Sequence, residues 1–109
     1  MTDRELLELA AKAAGIEGSW WGQDFCYAYN GNLNIPVPWR PLTDDGDALR
    51  LAVKLGLEIQ IRRQDTEVWV CPAREDEPLV REQFNRDEYA ATRRAIVRAA
   101  SQAAEERKS

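Results

Sequence analysis

Apolar spacing along this chain switches back and forth between a helical and an alternating period, and few folds accept that rhythm. Leu6, Leu7, Leu9, Ala10, Ala13 and Ala14 recur at helical spacing, and Phe25, Tyr27 and Tyr29 then alternate. Asn30-Gly31 follows, and Leu33, Ile35 and Val37 alternate again. Asn-Gly between two alternating runs is a strong hairpin signal, because both central residues of the favoured turn take positive φ. Residues 48–55 return to a helical period, Leu57, Ile59 and Ile61 alternate, and Thr66 to Cys71 reads as the partner strand. A last helical stripe runs through Tyr89, Ile96, Val97, Ala100, Ala103 and Ala104. The order α-β-β-α-β-β-α predicts an α+β fold. We expect an α/β sandwich with a mostly antiparallel sheet of four strands, Leu79-Val80 offering a short fifth at an edge, packed with three helices. At 109 residues this is one domain, 1–109, able to bury a core without staples.

Punctuation supports these elements. Thr2 with Glu5 three residues on is a capping box, and Gly15 is a natural helix stop. Thr43 or Asp44 can cap the second helix, with Asp45 and Asp47 where the macrodipole favours negative charge, and Gly56 ends it. Its apolar arc of Ala48, Leu49, Leu51, Ala52, Val53 and Leu55 is wide enough to predict a mostly buried helix. Asn85 or Asp87 caps the third. Pro36 and Pro38 keep their strand at an edge. Val68, Trp69, Val70 and Cys71 are apolar in succession, which predicts a central strand and places Trp69 in the core. Glu58, Gln60 and Arg62 make one face of the preceding strand polar, so either cover on that face should be incomplete or the helices should pack mainly on one side.

Composition narrows the chemistry. The chain contains no histidine, which removes the commonest general base and metal ligand. Cys26 and Cys71 lie far apart without a metal-site spacing. Both read as free structural thiols in a reducing cytoplasm, and the acidic start of the chain resembles neither a signal peptide nor a membrane span. Asp44, Asp45 and Asp47 lack the spacing of a calcium loop, so capping explains them better than a cation does. We expect no cofactor and no metal. The formal net charge of −4 argues against duplex nucleic acid as partner, although residues 86–109 carry +2 against −6 for the rest.

At residues 41–57, Pro-Leu-Thr-Asp-Asp-Gly-Asp-Ala and its helical continuation, and at residues 89–100, Tyr-Ala-Ala-Thr-Arg-Arg-Ala-Ile and onward, the sequence resembles the phage ABA sandwich domain family. These are small phage and prophage proteins without an assigned function. The resemblance covers about half the chain by specific residues; residues 17–38 depart from it. It implies an α/β sandwich, a phage or prophage origin and residence in a host bacterial cell, and it implies no catalytic residues.

Four residues stand out as candidate binding residues: Trp20, Trp21, Trp39 and Arg93. Trp20 and Trp21 are adjacent in a loop-like context, and exposed tryptophans are enriched at interfaces. Arg93 lies within the apolar stripe of the last helix, between Tyr89 and Val97, whereas Arg94 and Arg98 lie on the wet side. A charge there must be paired or must snorkel, and a structural ion pair explains it best. Together these features predict a non-enzymatic accessory protein acting by protein–protein interaction with a host or phage partner, its contact surface in the Ser19 to Trp39 region. The alternative is a nucleic-acid or nucleotide binder using Trp20, Trp21 and the Arg-bearing last helix.

Overall fold

The computed structural model describes residues 1–29, 32–74 and 76–106. The elements run α1 (Asp3–Ala14), β1 (Gly18–Trp21), β2 (Asp24–Tyr29), β3 (Asn32–Pro38), α2 (Asp45–Leu55), β4 (Glu58–Arg62), β5 (Glu67–Cys71), β6 (Val80–Gln83) and α3 (Glu88–Glu106). The fold class is α+β, as the periodicity requires. The single sheet of four or five strands is corrected to two antiparallel sheets of three, ordered β1-β2-β3 and β4-β5-β6. The element order is therefore α-β-β-β-α-β-β-β-α.

Two short strands account for the difference. β1 is built from Gly-Ser-Trp-Trp, which has the composition of a loop. It pairs with β2 across a two-residue connection, Trp21 opposite Asp24. Gly22 there takes φ 66°, the positive φ that the first central residue of such a turn requires. Gly18 is needed for a different reason: a Cβ at that position would lie 2.2 Å from the carbonyl oxygen of Cys26. At the other end of the chain, the short edge strand expected at Leu79-Val80 is a real strand, β6, which begins at Val80 and pairs with β5. Pro36 and Pro38 lie in β3 at the edge of the first sheet, where their missing N–H groups leave no full ladder for another strand. The Asn30-Gly31 turn lies outside the described residues, although Tyr29 stands opposite Asn32 across it.

The caps follow the sequence. The Glu5 amide donates to Thr2 Oγ1 at 3.1 Å, and the Asp47 amide donates to Asp44 Oδ2 at 2.8 Å. Asp87 Oδ1 accepts from the amides of Tyr89 and Ala90. Gly15 and Gly56, both left-handed, close α1 and α2, each returning its N–H to carbonyls of the last turn.

One core joins the elements. Helix α3 packs on α1, α2, β5 and β6. Its Ala95, Ile96, Val97, Ala99 and Ala100 are buried with Leu6, Ala10, Ala11 and Ala14 of α1 and with Val68, Val70 and Val80 of the second sheet. The first sheet contributes Phe25 and, just beyond β3, Trp39. Trp69 is not core, contrary to the sequence expectation. Strict alternation along β5 buries Val68 and Val70 on the helical side and turns Trp69 to the other face. There it stands among Gln60, Arg62 and Arg81, and no residue on that face is buried. Incomplete cover of the Glu58–Gln60–Arg62 face is thus what the structure has. Among the described residues no helix is long and apolar enough to cross a membrane.

Candidate interaction face

Helix α2 holds the main departure from expectation. A helix packed along one line buries an arc of roughly 100°, and α2 spends that arc on Ala48, Leu51 and Ala52. Leu49 and Val53, one turn apart, fall outside it and are 58% and 73% exposed. The mostly buried helix is corrected accordingly. Next to α2 lies β4, an edge strand of the second sheet, whose Ile61 is 46% exposed; across from it Tyr89, in the first turn of α3, is 64% exposed. Leu49, Ile59, Ile61, Tyr89 and Ile96 line one groove of about 340 Å³ between α2, β4 and α3. Arg63, Asp45, Glu88 and Arg93 bring charge to the same groove. The molecule therefore carries an apolar depression with a charged border, beside an unpaired strand edge. This is the anatomy of a protein contact: an apolar centre, a polar border and backbone groups ready to bond.

Arg93 is placed by this groove. Its side chain is 17% exposed and its guanidinium donates from Nη1 to Asp45 Oδ1 at 2.6 Å and from Nε to the Leu42 carbonyl at 2.9 Å. The pairing ties α3 to the start of α2. The wet-side arginines are also engaged. Arg94 pairs with Asp3 at 3.0 Å, and Arg98 pairs with Glu82 and donates to the Arg81 carbonyl.

The tryptophans divide. Trp39 is 5% exposed and sits edge-on to Phe25, ring centroids 6.0 Å apart. Trp20 meets the same Phe25 at 5.4 Å, lies 4.0 Å beneath the Arg4 guanidinium and donates its indole N–H to Glu8 Oε1 at 2.8 Å. These contacts bind β1 to α1. Trp21, its neighbour, points the opposite way and is 51% exposed. The structure thus brings Trp20 and Trp39 together around Phe25 and leaves Trp21 and Arg93 apart from them. Trp69 has its own setting, with the guanidinium carbons of Arg62 and Arg81 lying 4.0 and 4.3 Å from the ring centroid.

Two ion pairs stiffen the first sheet and α2. Arg40 grips Asp24 with two parallel N–H donations, 3.0 and 2.8 Å, which hold the Asp24 carboxyl below the usual carboxylate range. Arg50 donates to Asp47 at 2.6 Å, and Asp47 also accepts from the Arg40 amide. The acidic run at the head of α2 is accounted for by caps and arginines. Among the described residues no group of three or more His, Cys, Asp or Glu side chains could hold a metal. Cys26 is buried in β2 and Cys71 half-buried at the end of β5; both are free thiols.

The periodicity of the sequence places Leu49, Val53, Ile61 and Tyr89 in apolar stripes that predict burial, and packing leaves all four exposed. The available signal was the width of the α2 arc, which exceeds what a domain with two other helices can cover. Comparison with protein-family models, curated proteins and solved structures finds no match to the chain.

Proposed function

We propose that this chain is a phage or prophage accessory protein of the host bacterial cytoplasm that works by binding a protein rather than by catalysis. The observation that carries the binding reading is the apolar groove of Leu49, Ile61 and Tyr89 beside the open edge of β4. Large apolar side chains collected at one exposed place mark interaction sites in soluble domains. The absence of histidine from the chain supports binding over acid–base chemistry. The phage origin rests on the residues 41–57 and 89–100 alone.

The test uses Leu49→Glu and Tyr89→Glu, with Trp21→Ala as a contrast on the first sheet. All three side chains are more than half exposed, so each variant should stay within about 0.5 kcal/mol of the parent in urea. The two groove variants should lose protein partners captured from phage-infected host cells, and Trp21→Ala should keep them. Capture unchanged in both groove variants overturns the assignment of the groove. Capture lost only in Trp21→Ala moves the contact surface to the first sheet.

A second reading, single-stranded nucleic acid, draws on one observation: Arg62 and Arg81 over Trp69 on the open face of the second sheet. It is the lesser reading, because Arg93, Arg94 and Arg98 of α3 already face carboxylates.

A further inference from the structure

We infer that the groove and the β4 edge are covered by a second copy of this chain, through antiparallel pairing of β4 with its own counterpart. This deepens the protein-binding reading and rests on it.

Strand β4 is Glu58-Ile59-Gln60-Ile61-Arg62, and among the described residues its one strand partner is β5. An edge strand offers a row of N–H and C=O groups to any chain that can match it. The five residues match themselves. Antiparallel pairing about Gln60 sets Glu58 opposite Arg62 of the other copy, and Arg62 opposite its Glu58. Directly opposed residues share a face, so both ion pairs form on the polar side with Trp69. On the other side Ile59 meets Ile61 twice, and Gln60 faces Gln60 on the axis. Residue i meeting j while j meets i is what a two-fold interface requires. A slip of one residue would oppose charged to apolar positions, and a slip of two would break both Glu58–Arg62 pairs and leave a single isoleucine pair, so the sequence favours one register.

The flanks agree with this pairing. A two-fold axis perpendicular to the sheet keeps like faces on like sides. The exposed Leu49 and Tyr89 of each copy then lie on the same side of a joined six-stranded sheet, next to the paired isoleucines. Glu58 is exposed on that strand, whereas Arg62 lies over Trp69 with its Nε 2.9 Å from Asp65, so pairing with Glu58 of the other copy exchanges those contacts for the new one. The edge of β3, by contrast, carries Pro36 and Pro38 and offers no such ladder.

The experiment exchanges charges. Glu58→Arg alone gives a strand with Arg at both ends, and Arg62→Glu alone gives one with Glu at both ends. Sedimentation equilibrium on the full chain should show a dimer for the parent and self-association at least about tenfold weaker for either single variant. An equimolar mixture of the two variants should recover a dimer, because each then opposes Arg to Glu, and so should the double variant Glu58→Arg/Arg62→Glu. Recovery in the mixture also shows that each variant is folded. A parent that stays monomeric at the highest attainable concentration overturns self-pairing, and leaves the protein-binding reading to stand or fall on the Leu49 and Tyr89 variants. A parent dimer that both single variants preserve overturns the β4 register.

Discussion

Arg93, Arg94 and Arg98 lie within two turns of one helix and each finds an oxygen, yet their substitutions should differ. Arg93→Ala removes a largely buried stem and leaves the Leu42 carbonyl without its donor, which should cost about 1–3 kcal/mol. Arg94→Ala breaks an exposed pair with Asp3 and should cost about 0.5 kcal/mol or less. Arg98→Ala falls nearer to Arg93, because its partner Glu82 is mostly shielded and would be left with a bare carboxylate. Urea midpoints for the three variants check the order; a match between Arg93→Ala and Arg94→Ala would refute it. Asp24 gives a pH-dependent case. Its folded carboxyl titrates below the unfolded one, so its contribution is present above about pH 4, the unfolded value, and vanishes as pH falls through the folded value. Asp24→Asn should therefore be less stable than the parent at neutral pH, and the gap should close in acid. A gap that persists in strong acid would mean that the carboxylate's charge is not what matters.

Among the elements, β1 packs with the least room to spare against its neighbour. Four residues long, it lies so close to β2 that Gly18 leaves no space for a methyl group. Gly18→Ala should force the strand off the Cys26 carbonyl and cost about 1–3 kcal/mol, with Trp20 fluorescence shifting as the ring leaves Glu8. An unchanged midpoint and spectrum would show that β1 pairs more loosely than described. This strand also marks where sequence reading stopped. All three helices and the Thr2 cap were legible, and the caps of α2 and α3 were legible to a choice of two residues each, because capping is local chemistry written in adjacent residues. β2, β3 and β4 were legible from alternation, and β5 from its unbroken apolar run after the turn. β1 was not, since Gly-Ser-Trp-Trp shows no period in four residues, and the number of sheets was not, since it depends on which strands meet. Arg93 was legible as a paired charge from its wheel position. The groove was not: apolar residues in a stripe read as buried, and only the packing of α3 shows which of them it fails to reach.

At the scale of the whole molecule, a dimer through β4 would tie stability to concentration. Folding and association then share one equilibrium, and the thermal midpoint should rise with protein concentration for the parent and stay flat for Arg62→Glu. Flat behaviour in both would indicate that the folded monomer needs no partner, and would count against self-pairing. Each sheet is assembled from consecutive strands, whereas α1 rests on α3, which is made after both sheets. During synthesis the two meanders can therefore close as they emerge, but α1 must wait. Its Leu6, Ala10 and Ala14 face stays without its cover until the ribosome has delivered Ala95 to Ala100. Throughout that interval the nascent chain shows an unshielded amphipathic helix, the kind of segment that chaperones hold.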